Sequence, residues 1–282
     1  MTDESAPDLA VRTERFSSRA GVKSAVRTVA LLEYLAARHD SPARLREISA
    51  ALEMPRSSAH ALLRTLVAQG WVRSDESGTL YGIGVRALLV GTTYLDSDPY
   101  LPLITPFLDD LRNALDETFH LARLDNGDVV YLATRESTQY TRTSNRVGRR
   151  LPAYATALGK ALLAERFGTD RDEHIPSALR PLTQKTITDR RRLDDSLDDV
   201  RVRGYATDDE ESTAGVQCYA VALRYCQPPQ DAISASVPIN RLNPRRERDI
   251  VDALCAMGDK ISRVVRPLAN GDKWFASPVS GE

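Results

Sequence analysis

Residues 45–66 read LREISAALEMPRSSAHALLRTL, and the periodicity of this stretch decides the fold of the first part of the chain. Leu45, Ile48 and Leu52 fall on one face of a short helix, and Ala59, Leu62, Leu63 and Leu66 on one face of a second. Pro55 cannot continue the first helix, because it lacks an N–H, but it suits the first turn of the next. Arg56, Ser57, Ser58, His60 and Arg64 are left on the outer side of the second helix. Two short helices meeting at a tight turn, with a polar outer face, are the layout of a helix-turn-helix. Its second helix lies in the DNA major groove.

The flanks extend this unit. Residues 24–37 carry Val26, Val29, Leu31, Leu32 and Leu35 and are expected to form a helix that completes a three-helix core. After Leu66, residues 71–73 and 80–81 read as short strands around the polar turn Asp75-Glu76-Ser77-Gly78, which makes a wing. Arg73 on that wing is expected to touch phosphate, as are Lys23 and Arg27 near the first helix. Arg44 and Arg46 add to the same basic patch.

A net charge of −1 over 282 residues excludes a protein that coats nucleic acid indiscriminately. DNA binding must come from the local patch, and most of the chain serves another purpose. Cys218, Cys226 and Cys255 are odd in number and lack paired metal spacing, so neither a disulfide framework nor a metal site is expected, and no cofactor. A reducing cytoplasm suits such cysteines. No apolar run approaches membrane-spanning length, and the acidic N-terminus does not read as a signal peptide.

The expected organisation is a polar arm (1–20), a winged helix-turn-helix (21–84), a connector helix (85–100), a second domain (101–268) and a loose tail (269–282). The connector holds Leu88, Leu89, Val90 and Tyr94, an apolar set suited to a dimer seam. Residues 103–115 resume a helix with Pro106 near its start. Residues 119–124 and 129–133 alternate in polarity around Asn126-Gly127, a strong hairpin signal. Residues 151–164 read as a strand end turning into a helix, 191–203 as a helix, 217–225 and 232–237 as strands, and 244–265 as a closing amphipathic helix. The fold class is therefore α+β, with an antiparallel sheet in the second domain.

Four blocks carry a family resemblance: residues 66–72 closing the winged helix, 151–164, 203–211 with 215–218, and 231–238. Together the chain resembles an IclR-type transcriptional regulator. The resemblance implies a GAF-like effector-binding domain, a homodimer or homotetramer, and control of catabolic genes, commonly by repression, through a small organic acid. Two positions depart from the family pattern. Tyr154 stands where histidine is common, and Ala61 follows His60 where arginine is common, with Arg64 one turn later.

For the acid effector, residues 156–160 open a helix whose free N–H groups and positive dipole end would hold a carboxylate. The resemblance places Ala157 and Leu158 in the pocket lining and brings Asp208 to the same pocket. Ser234 and Ser236 alternate along an apolar strand, so their hydroxyls share a face and need partners. Cys218 is expected to line the pocket as a small apolar residue. Two other readings are weighed beside the regulator. One is a cysteine-dependent enzyme using Cys218 with His120, which nothing in the sequence orients. The other is a constitutive DNA-architectural protein, which leaves the large second domain without a use. The expectation is a regulator and not an enzyme, with duplex DNA and a small acid as partners.

Overall fold

The computed structural model describes residues 22–38, 41–139 and 147–271. The arm at 1–20 and most of the tail at 269–282 lie outside these residues. The chain divides into two compact units, 1–97 and 98–282.

The first unit runs α1 (Lys23–Ala37), β1 (Ala43–Arg44), α2 (Leu45–Ala51), α3 (Arg56–Ala68), β2 (Val72–Ser74), β3 (Leu80–Ile83) and α4 (Val85–Ser97). Leu31, Leu35, Ile48, Leu63, Val72 and Tyr81 form its core, and the three strands lie in the order β1-β3-β2. The turn between α2 and α3 closes with Glu53 at φ 45°, and the Ser49 hydroxyl donates to the Met54 carbonyl at 2.7 Å. Pro55 is the residue preceding α3, with extended backbone. Val29, expected in the core, is 51% exposed; α1 buries Leu31, Tyr34 and Leu35 instead. No residue of α4 is buried, and Val85, Leu88, Leu89, Val90 and Tyr94 are all exposed.

The second unit runs α5 (Leu101–Leu115), β4 (Thr118–Asp125), β5 (Asp128–Arg135), β6 (Arg150–Pro152), α6 (Ala157–Ala164), α7 (Gly168–Glu173), α8 (Arg190–Arg203), β7 (Ala206–Asp209), β8 (Val216–Ala222), β9 (Asp231–Pro238) and α9 (Pro244–Ala269). Its six strands pair antiparallel in the order β6-β5-β4-β9-β8-β7. The β4–β5 turn places Asn126 at φ 50° and Gly127 at φ 91°, the left-handed pair that a two-residue hairpin needs. One sheet face packs under α6 and α8 around Leu158, Leu162, Leu193 and Leu197. Helices α5 and α9 also pack on the sheet, and Gly258 lets α9 come close: a Cβ there would meet Val221 at 2.9 Å.

Three boundaries differ from the sequence reading. Helix α5 begins at Leu101, because the Asp98 carboxylate accepts the N–H groups of Tyr100 and Leu101; Pro106 therefore lies inside the helix rather than near its start. Strand β8 stops at Ala222, short of Tyr225. The run beginning at Ala206, to which the sequence assigns no element, is the edge strand β7. No helix among the described residues is long and apolar enough to cross a membrane.

Candidate functional site

Helix α3 buries Ala59, Leu63 and Leu66, which fixes its outer side. Arg56, Ser57, His60 and Arg64 are exposed there, and Ser58 is half-buried at the edge. No side chain caps α3, and its first intrahelical bond is Ala59 N–H to the Pro55 carbonyl, so the amides of the first turn stay open to solvent. Arg73 is exposed on β2 opposite Gly82 of β3. The wing turn is held by Asp75, whose carboxylate accepts the N–H of Thr79 at 2.7 Å and of Leu80 at 2.8 Å and the Ser77 hydroxyl at 2.5 Å. These donors draw the Asp75 carboxyl down to about 2, so it stays ionised and rigid.

In the second unit the strand register builds a second site. His120, Ser234, Ala220 and Ala206 stand in one row across β4, β9, β8 and β7, and Thr118, Ser236, Cys218 and Asp208 form the next. Rows two residues apart share a face, so Ser234, Ser236, Cys218 and Asp208 come together on one side of the sheet. Cys218 Sγ lies 3.2 Å from Ser236 Oγ. Ser234 is 1% exposed, yet its Oγ has no partner among the described residues. A buried hydroxyl left unpaired is unfavourable unless a ligand completes it.

Helix α6 packs on β7, β8 and β9, and Cys218 packs against the cluster that holds Ala157 and Leu158. Thr156 caps the helix by accepting the Gly159 N–H at 3.0 Å, and the Lys160 N–H bonds to the Thr156 carbonyl. The N–H groups of Ala157 and Leu158 have no acceptor among the described residues, although both residues are almost fully buried. Gly159 is required by close packing, since a Cβ would meet the Ala153 carbonyl at 2.1 Å. Tyr154, at the departure from the family pattern, is a structural anchor: its hydroxyl donates to the Arg180 carbonyl at 2.8 Å and accepts the Arg180 N–H at 3.0 Å.

Asp208 is less available than the sequence suggests. Its carboxylate already accepts the N–H of Glu211 and Ser212 and the Ser212 hydroxyl, and burial raises its proton affinity against those bonds. The lone charge in apolar α6, Lys160, forms a buried ion pair with Glu211 at 2.5 Å. That pair was not singled out from the sequence, although a lysine among alanines and leucines was the signal. Tyr131 was also missed; its ring stands edge-on to His120 at 5.0 Å. The His120 and Cys218 pairing is not set up for nucleophilic chemistry. Burial pushes the Cys218 thiol up and His120 down to about 3, while His120 Nδ1 bonds to the Thr134 hydroxyl and Cys218 to Ser236. A neutral thiol is a poor nucleophile. Among the described residues no three His, Cys, Asp or Glu side chains gather as metal ligands.

Comparison with known proteins agrees with both units. Residues 24–76 match the IclR helix-turn-helix domain, and residues 92–263 match the bacterial transcriptional regulator IclR C-terminal domain. The chain is 33% identical to the transcriptional repressor IclR of Escherichia coli over 80% of its own length and 83% of that protein. It is 33% identical to the regulator Rv1719 of Mycobacterium tuberculosis over 93% of its length and 96% of that protein. The crystal structure of Thermotoga maritima IclR superposes with a TM-score of 0.64 at 26% identity, covering 85% of this chain and 97% of that one. The chain belongs to the IclR family of bacterial transcriptional regulators: a DNA-binding regulator with an effector-binding domain, and not an enzyme.

Proposed function

We propose that this regulator is a cytoplasmic homodimeric repressor whose two α3 helices dock on a pseudo-palindromic operator, and whose second unit holds the carboxylate of a small organic acid. A single winged helix covers little DNA, so two copies are needed for specificity. The exposed apolar row on α4, from Val85 through Leu88 and Leu89 to Tyr94, is the surface assigned to the partner copy. Sedimentation of the full chain tests this: Leu88→Glu with Leu89→Glu is expected to yield a monomer, and an unchanged dimer would remove α4 from the seam.

One observation carries the effector reading. The Ser234 hydroxyl is buried without a partner, on the sheet face that packs under the helix whose first amides, at Ala157 and Leu158, also lack acceptors. A carboxylate accepts from all of these donors. Cys218 and Ser236 continue the lining, and Asp208 orders the turn beside it. Acid binding would favour one arrangement of the two α3 helices and change operator affinity through a coupling of roughly 1–3 kcal/mol. Thermal-shift screening of sugar acids and aromatic acids tests the site, because a ligand of the folded state raises the melting point. A full panel with no shift would speak against an acid effector.

A further inference from the structure

A cleft of about 400 Å³ opens in the first unit, between α3, the start of α2 and the wing turn. Arg44, Arg46, Arg56 and His60 line it, with Thr79 on the wing side and the buried Tyr81 beneath. The walls are rigid. Arg44 is registered against Leu80 in the β1–β3 ladder, Tyr81 donates its hydroxyl to the Gly78 carbonyl at 2.8 Å, and Asp75 gathers the amides of Thr79 and Leu80. The nearby Glu47 is already engaged, by the Arg44 N–H at 2.8 Å and by Arg38 at 3.7 Å. Among the described residues no carboxylate pairs with the Arg44, Arg46 or Arg56 side chain. Three exposed arginine side chains converging on one groove without a counter-charge form a local positive patch suited to an anion.

The helical spacing says which part of DNA that anion belongs to. Arg56, His60 and Arg64 recur every fourth residue and so wind from the flank of α3 at Arg56 to its outer face at Arg64, and the first two of them line the cleft. Opposite the buried Ala59, Leu63 and Leu66 stand Ser57, Ala61 and Ala68, all exposed and all small, with Arg64 beside them. A helix whose outermost side chains are that small can approach base edges closely, while its flank meets the sugar-phosphate backbone.

We infer that this cleft seats the backbone phosphates of one duplex strand, gripped by Arg44, Arg46 and Arg56, so that Arg56 is a sequence-independent anchor and not a reader of guanine. The inference rests on the proposed DNA docking of α3 and adds the wing-side wall to it.

The test needs no operator. Affinity of the full chain for a random-sequence duplex is measured between about 50 and 200 mM salt, where each neutralised phosphate contributes about 0.9 to the slope of log affinity against log salt. Arg44→Ala with Arg46→Ala is expected to lower that slope by about 1.8 per bound protomer, and Arg56→Ala by about 0.9. Arg191→Ala, in the other unit, is the control and leaves it unchanged. All four substitutions are at exposed side chains, and an unchanged melting point together with the matching Arg→Gln variants separates misfolding from lost contacts. Slopes equal to the parent's for the cleft variants would overturn the assignment. So would inorganic phosphate that stabilises the parent through Arg44 and Arg46 while those slopes stay unchanged, because the cleft would then be a free-anion site. No duplex binding by the parent protein would instead sink the proposed docking of α3 itself.

Discussion

Lys160 Nζ lies 2.5 Å from Glu211 Oε1 in the second unit, and both residues are almost fully buried. The second oxygen of Glu211 has no hydrogen-bond partner among the described residues, and burial raises the carboxyl's proton affinity while Lys160 opposes that rise. Desolvating two charges consumes most of their attraction, so the pair adds little net stability, yet breaking it leaves one charge stranded. Lys160→Met alone is expected to destabilise the folded chain by about 3–5 kcal/mol in urea unfolding. Lys160→Met combined with Glu211→Leu should recover most of that loss. A double variant as unstable as the single would show that the pair has a further structural role.

Ser234→Ala separates stability from binding. Its Oγ is unpaired, so removal is expected to leave the melting point unchanged or slightly higher. Affinity for an acid found by thermal shift should fall by about 1.5–3 kcal/mol, tenfold or more, because a charge-assisted hydrogen bond is lost. Calorimetric titration of parent and variant checks both, and unchanged affinity would remove Ser234 from the site.

Gly159 tests how tightly α6 is seated. A methyl group there would press on the Ala153 carbonyl, and the atoms it meets are all Ala153 backbone, which leaves little room to yield. Gly159→Ala is expected to destabilise by about 1–3 kcal/mol despite the higher helix propensity of alanine. A more stable variant in chemical unfolding would mean that the turn relaxes freely.

His120 gives a pH signature. Burial holds its proton affinity at about 3 when folded, against 6.5 for the exposed ring. Below the unfolded value the unfolded chain binds the proton and the native chain does not, so stability falls as pH drops from 6.5 toward 3. For this one group the slope approaches about 1.4 kcal/mol per unit. His174 is depressed by burial too and adds to the same window, so the His120 contribution is the difference between the parent and His120→Gln. Identical pH–stability curves for the two would contradict it.

Much of this was legible in the sequence where one period dominates. Ile48, Leu63 and Leu66 repeat at helical spacing and are buried, and Asn126-Gly127 sits where two alternating runs meet. The misreadings occur where tertiary pairing overrides composition. Residues 206–209 read Ala-Thr-Asp-Asp, a poor strand former, and are a strand because Asp208 pairs with Cys218 on β8. Val29 is apolar but turned outward, and Pro106 lies inside α5 because Asp98 starts that helix earlier than expected. At the sites, residue type pointed to Ser234 and Ala157, but the occupied state of Asp208 depended on the local turn at Ser212. The flank position of Arg56 follows from its spacing to His60 and Arg64, while its neighbours Arg44 and Arg46 are brought in by the β1–β3 ladder.

The central claim is that α3 grips duplex DNA while a sheet face of the second unit senses an acid that alters that grip. The direct measurement is affinity for a duplex selected by the full chain from a random pool, with and without an acid that raises its melting point. The account predicts a change of at least about fivefold, lost in Ser234→Ala. Equal affinity with the site empty and saturated would contradict it.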